Sequence, residues 1–277
     1  MVTELSYTTT HTYLIDGAKG TILFDTGWAG TFSAFCREMG EKGRNVQEID
    51  YILVSHFHPD HMGIAEEIAD LGPRIVAVDL QVPFLHSSDA ILGRDGNTGF
   101  RPILDEKVRV ISLSESRDFL ASLGLAGEIL HTPGHSDDSI SLWLDDGDLF
   151  VGDLNPLYEL ELHAGTEIEE SWNRLLARKP KRVFYGHAKT AVLRDEDRQK
   201  GQEEDGGSAG DDGGDRKDLY LLVSRIMRYI DKGCSMERIR KKTGADPVFI
   251  EDVNRMYLTH RNVGVQGILD RIEIKGR

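Results

Sequence analysis

Between residues 12 and 187 the chain alternates short apolar runs with segments whose apolar positions recur every three or four residues. The first pattern predicts buried strands, the second amphipathic helices. Strands are expected at 12–15 and 21–24, joined as a hairpin through the glycines of Asp16-Gly17-Ala18-Lys19-Gly20. Further strands are expected at 51–54, 74–78, 108–113, 128–130, 139–144, 149–151 and 182–185. Helices are expected over 30–43, where Phe32, Phe35, Cys36 and Met39 share a face, over 62–71 up to Gly72-Pro73, near 81–85, and over 114–123. Thr166 and Glu169 have the spacing of a capping box ahead of a helix with Ile168, Trp172, Leu175 and Leu176 on one side; Pro180 stops it. Residues 93–102 are glycine-rich and aperiodic, a loop long enough to shape a pocket. The pattern begins at residue 12, and the polar start before it carries no predicted element.

From Asp195 to Asp218 the periodicity vanishes, and ten acidic and four basic residues stand among glycines with almost no apolar side chain. Such a stretch buries too little surface to offset its chain entropy and is expected to be a linker or disordered loop. It separates a domain expected over 1–194 from a helical unit expected over 219–277. In that unit Leu219, Leu222, Val223, Ile226 and Ile230 recur at helical spacing, and Ser235 is placed to cap a short helix through Lys242. Asp246-Pro247 then opens a helix with Phe249, Ile250, Val253, Met256 and Tyr257 as its apolar stripe.

Composition narrows the class. At 277 residues, 39% hydrophobic and 29% charged, the chain can bury a full core, and no run approaches the roughly 18 apolar residues of a membrane span. The start lacks a basic-then-apolar leader, and Cys36 and Cys234 stand far apart. The expectation is a cytoplasmic protein without disulfides or membrane contact. A net charge of −14 argues against nucleic acid as the main partner, since phosphate binding needs a positive surface. The segment 195–218 supplies −6 of that total, and Arg238, Arg240, Lys241 and Lys242 make the end locally basic. The roles expected for the helical unit are a lid, a homodimer contact or a helix-turn-helix-like (winged-helix-like) module.

The chemistry concentrates in Ser55-His56-Phe57-His58-Pro59-Asp60-His61, which follows the apolar run 51–54. Histidine and aspartate are poor core residues, so this knot at a strand end reads as a metal-binding loop. Three more predicted strands end on the same residue types: His135 after Thr132-Pro133-Gly134, Asp153 after Gly152, and His187 after Gly186. The carboxyl edge of a sheet is where layered α/β folds place their ligand sites. A lone histidine is usually structural, and His11, His86, His131 and His260 are read that way.

These motifs carry a resemblance. His56-x-His58-x-Asp60-His61, Thr132-Pro133-Gly134-His135-Ser136, Gly152-Asp153, Gly186-His187 and the earlier Phe24-Asp25-Thr26-Gly27 stand in the order found in the metallo-β-lactamase superfamily. The resemblance spans roughly residues 10–190. It implies an α/β fold of four layers, an αββα sandwich. It also implies that His56, His58 and His135 hold one metal, that Asp60, His61 and His187 hold a second, and that Asp153 bridges them together with a water or hydroxide. Imidazole and carboxylate donors suit Zn²⁺ first, and also Fe or Mn, so the cofactor expected is two divalent ions. Asp60 and Asp153 are then the catalytic carboxylates, with Asp25 orienting a ligand or the loop. Tyr158 and His163, in the loop after Asp153, are the candidates for touching substrate.

The resulting expectation is a dinuclear metal-dependent hydrolase of a small-molecule ester-type bond, a thioester or lactone, similar to the glyoxalase II and lactonase branches. The chain departs from glyoxalase II after the last ligand, reading His187-Ala188-Lys189-Thr190 where that family usually has Glu beside the histidine. Two rivals share the motifs. A persulfide dioxygenase would use one iron at the positions of His56, His135 and Asp153, and a phosphodiesterase or nuclease of the same fold would need a positive groove.

Overall fold

The structure, a computed structural model, describes residues 1–93, 99–194, 214–231, 234–247, 249–250 and 253. The chain divides into two compact units, residues 1–203 and 204–277.

The first unit is two mixed sheets face to face. One sheet has the order β1(Val2–Leu5), β2(Thr12–Asp16), β3(Thr21–Phe24), β4(Tyr51–Leu53), β5(Arg74–Val78), β6(Val108–Ile111). Its first three strands pair antiparallel; β3 to β6 run parallel. The other has the order β11(Ala191–Val192), β10(Arg182–Phe184), β9(Asp148–Phe150), β8(Ile140–Leu144), β7(Gly127–His131). Here only β9 and β10 are parallel.

Alternation along each strand builds three cores, because successive side chains leave a strand on opposite faces. Tyr13, Ile15, Ile22 and Phe24 point inward to meet Ile129, Ile140, Leu142, Phe150 and Phe184 of the facing sheet. Leu14 and Leu23 point outward under α1(Phe32–Glu41) and α3(Ala65–Ala69), meeting Phe35, Met39 and Ile68. On the far side Leu149, Val151 and Val183 pack beneath Trp172 and Leu175 of α6(Glu167–Leu176). The layers are therefore helices, sheet, sheet, helix, the αββα architecture that the motifs implied. At its centre Phe150 stacks on Phe184 at 4.5 Å, Tyr13 meets both edge-on, and the Tyr13 hydroxyl donates to Tyr185 O at 2.7 Å.

Several elements differ from the sequence pattern. The polar start forms β1, whose backbone pairs with β2 from Val2↔Ile15 to Leu5↔Thr12 although only Leu5 is buried. The helix expected at 62–71 is broken into α2(Pro59–Met62) and α3, because Gly63 N–H donates to Gly27 O at 2.9 Å instead of extending the ladder. A Cβ on Gly63 would lie 2.2 Å from Ala29 N, so the crossing chain excludes any larger residue. The capping box before α6 is not formed. Thr166 Oγ1 donates to His163 O, and Glu169 accepts from Gly165 N–H. Short helices α4(Asp89–Leu92) and α5(Ser116–Ser122) complete this unit.

In the second unit α7(Gly214–Asp231) starts five residues inside the segment read as linker. The rest of that segment, 195–213, lies outside the described residues, as do 94–98 of the expected pocket loop. α8(Met236–Thr243) is capped by Ser235, whose Oγ accepts from Arg238 N–H, and closes at Gly244 with φ +72°. Residues 247, 249, 250 and 253 are helical, with Ile250 and Val253 fully buried. No described helix is long and apolar enough to cross a membrane.

Candidate metal centre

The site forms where strand ends from both sheets meet. After β4 the chain bends at Ser55 and His56; Phe57 is fully buried in the outer core, and the nearest nitrogens of the His56 and His58 rings lie 3.0 Å apart. Pro59, in the first turn of α2, has the fixed φ that a helix start requires, and the turn delivers Asp60 and His61 side by side. In the second sheet, parallel register pairs Phe150 with Phe184. Asp153 and His187 each lie three residues further, so the register itself makes them neighbours. Gly186 N–H donates to Gly152 O at 2.7 Å and carries the ladder up to them.

Two clusters result, one of His56, His58 and His135 and one of Asp60, His61, Asp153 and His187. All seven residues expected as ligands are in them. In the first, His58 Nδ1 lies 3.0 Å from both His56 Nε2 and His135 Nε2. A tetrahedral ion with metal–nitrogen bonds of about 2.0–2.1 Å sets its ligand nitrogens about 3.3 Å apart, close to this spacing. One ring proton cannot satisfy both neighbours, whereas a cation serves all three. In the second, His187 Nε2 is 2.9 Å from Asp60 Oδ2 and 3.4 Å from Asp153 Oδ2. Asp153 Oδ2 also reaches 3.6 Å from His135 Nε2, so this carboxylate spans the two clusters. His61 Nε2 and Asp153 Oδ1 are buried and face each other at 3.1 Å without the geometry of a hydrogen bond. Buried nitrogen and oxygen donors that converge in this way fit a divalent ion, and both clusters could hold one.

The far nitrogens are anchored, which decides the tautomers. His61 Nδ1–H donates to Asp25 Oδ2 at 2.9 Å, and His187 Nδ1–H to Thr9 O at 3.0 Å. His56 Nδ1 meets Ser55 Oγ at 3.0 Å. These three rings thus turn Nε2 to the centre, whereas His58 presents Nδ1. Asp25 is fully buried and sits at φ +62°, a strained position for a non-glycine residue. Its carboxylate accepts from Ser55 N–H, Ser55 Oγ–H and His61 Nδ1–H.

Electrostatics separates the clusters. Burial, followed by the neighbouring imidazoles, pushes His56 well below its ordinary pKa and His58 down to about 4, which keeps both rings neutral. Burial also acts to raise Asp60, but His61 and His187 override it and hold the carboxyl at about 2. For His61 and His187 burial is likewise overridden: Asp153, Asp25 and Asp60 hold His61, and Asp153 and Asp60 hold His187, well above the usual range. The second cluster therefore demands positive charge, which protons supply when a cation does not.

The two substrate candidates share one element. Tyr158 is 68% exposed and His163 half-buried, both on the 3₁₀ helix Leu157–His163. His131 donates to Asp137 O at 2.8 Å and supports the loop of His135. The sequence reading missed Ser55, Thr9, Gln81 and Asp138. Ser55 had a signal, its place directly before His56; Thr9 acts through its backbone carbonyl and had none.

The family model of the metallo-β-lactamase superfamily matches residues 7–187. Among curated proteins the chain is 28% identical to the Beta-lactamase-like protein 2 homolog of Drosophila melanogaster, over 64% of this chain and 58% of that one. It is 24% identical to the Atrochrysone carboxyl ACP thioesterase of Aspergillus terreus, over 52% of this chain and 38% of that one. The matched region thus spans only about 38–58% of those relatives' length. Among solved structures, a metallo-β-lactamase family protein from Thermus thermophilus superposes with a TM-score of 0.54 at 19% identity, covering 80% of this chain and 82% of that one. With the family model across residues 7–187 and the two clusters, one of His alone and one of His and Asp, at the sheet ends, the chain belongs to the metallo-β-lactamase superfamily.

Proposed function

We propose that the protein is a dinuclear metal-dependent hydrolase that cleaves an ester-type bond in a small molecule, a thioester before a lactone. The observation that carries this reading is Asp153, whose carboxylate lies within 3.6 Å of an imidazole of each cluster. The second cluster has its own complete donor set, Asp60, His61 and His187, which supports two ions over the single iron of a dioxygenase. Thioester hydrolysis draws on the thioesterase among the relatives.

In this reading His56, His58 and His135 would hold one ion and Asp60, His61 and His187 the other, with Asp153 placed to serve both. When bound, the ions would supply an activated water and polarise the scissile carbonyl, with no protein nucleophile needed. The chain's own contribution is positional. Asp25 and Thr9 O keep the imidazoles in the ligating tautomer, and Ser55 couples Asp25 to the loop. Asp60, held low by His61 and His187, is the carboxylate we assign to managing the proton of the attacking water. Tyr158 and His163 are the side chains we assign to substrate contact.

The test is metal analysis with a hydrolysis screen over thioesters, lactones, phosphodiesters and β-lactams in Zn, Fe and Mn forms. Two ions per chain and metal-dependent thioester cleavage are expected. One iron per chain with oxygen consumption on persulfides would overturn the reading, as would salt-sensitive cleavage of RNA or DNA alone.

A further inference from the structure

Gln81 is fully buried on the 3₁₀ segment Asp79–Phe84, directly after β5. Its Oε1 accepts from Val78 N–H at 3.1 Å. Its Nε2 faces three carbonyls: Val54 O at 3.1 Å, Ser55 O at 3.3 Å and Asp138 O at 3.0 Å. Two amide protons serve three acceptors, so one is shared. The first two acceptors immediately precede His56; the third lies three residues after His135. Asp138, 3% exposed, answers in the opposite direction, accepting from Phe57 N–H at 2.7 Å through Oδ2. Phe57 sits between the ligands His56 and His58. Ile140 N–H donates to Ser55 O at 2.8 Å and closes the same junction.

We propose that Gln81 and Asp138 are positioning residues that register the His56–His58 loop of one sheet against the His135 loop of the other, and so preset the first metal cluster. The first cluster is the one that needs this. Two of its ligands come from one loop and the third from the other, so its 3.0 Å spacings depend on how the two sheets align at this point. The second cluster is held by different ties: Gly186 N–H to Gly152 O, His11 N–H to Gly186 O, and Tyr13 Oη–H to Tyr185 O. The clamp's bonds therefore fall beside first-cluster ligands, while the second cluster, whose Asp60 and His61 come from the same loop, has these further ties of its own. A buried amide and a buried carboxylate are costly unless their hydrogen bonds are made, and here two of those bonds, to Ser55 O and from Phe57 N–H, fall on backbone adjoining His56.

This inference rests on the metal-centre reading, and the experiment separates their failures. Zn²⁺ affinity is measured by chelator competition in two backgrounds, His187→Ala, which leaves the first cluster, and His135→Ala, which leaves the second. Metal-free melting curves accompany each variant. Gln81→Met is expected to weaken Zn²⁺ about 10–100-fold in the His187→Ala background, the range for lost ligand-supporting contacts, and to leave the other background nearly unchanged. Asp138→Ala should do the same, while Asp138→Asn, which keeps an oxygen for Phe57 N–H, should restore affinity. Equal weakening in both backgrounds, or a drop in melting temperature with no change in affinity, would reduce the clamp to an ordinary structural tie and overturn the proposal. So would an Asp138→Asn variant as weak as Asp138→Ala. If Gln81→Met does not fold, the Asp138 pair decides. A parent chain that binds no Zn²⁺ at all defeats the metal-centre reading itself.

Discussion

Ser55 binds Asp25 twice, its backbone N–H donating to Oδ1 at 2.7 Å and its hydroxyl to Oδ2 at 2.9 Å. Asp25 also takes the Nδ1 proton of His61, so one buried carboxylate fixes the start of the metal loop and one of its ligands together. Replacing Asp25 by Ala frees the His61 tautomer and leaves the Ser55 N–H without a partner. Metal affinity is expected to fall about 10–100-fold, read by chelator competition. Unchanged affinity would mean that Asp25 serves only the turn.

Asp153→Ala removes the carboxylate that spans both clusters. Bound metal, counted by elemental analysis, should drop below that of the parent, and turnover on any substrate found should nearly vanish. Retention of both ions at the parent rate would sink the bridging assignment.

Gly186→Ala tests the room inside the cage. A Cβ at this position would lie 2.6 Å from Asp153 Oδ1 and 2.9 Å from His61 Cε1, with no positive φ involved. The variant should fold with near-parent far-ultraviolet circular dichroism yet bind one ion fewer. Full metal content would show that the two side chains can move aside.

His86 offers a pH dependence away from the centre. Its Nδ1 meets Asp89 Oδ2 at 2.9 Å and its Nε2 meets Asp105 Oδ1 at 3.0 Å; these bonds, with Asp105 the stronger influence, raise its pKa. A raised histidine stabilises the fold fully below its unfolded value of about 6.5 and loses that contribution as pH rises through the folded value. The residue is half exposed, so screening limits the effect to at most about 1 kcal/mol. The melting temperature of the parent should exceed that of His86→Asn at pH 5.5, with the gap closing in alkali. A gap independent of pH would exclude the charge as its cause.

Trp172 is fully buried under the second sheet and donates from Nε1 to Asn155 O at 2.8 Å, two residues beyond Asp153. Trp172→Ala leaves a large cavity, expected to cost about 3–5 kcal/mol in denaturant melts. A loss below about 1 kcal/mol would mean the layer collapses to fill it.

The sequence by itself determined most of the strands and the candidate ligand residues, and its family motifs implied the layers. Strand-length apolar runs ending in His or Asp are local patterns, and seven such side chains at His56, His58, Asp60, His61, His135, Asp153 and His187 could be named from them. Local pattern also sufficed for α1 and α6, whose apolar faces recur at helical spacing. Only tertiary structure decided the rest. β1 is polar and gains its place through backbone pairing with β2, which leaves no mark in side-chain pattern. The break at Gly63 arises because another part of the chain, at Gly27 and Ala29, takes its amide and its space. Asp153 and His187 become neighbours through the register of β9 and β10, and Thr9, Gln81 and Asp138 bond His187 or the backbone beside His56 from dozens of residues away. Such contacts are set by how two sheets align, and a linear reading of residue types carries no information about that alignment.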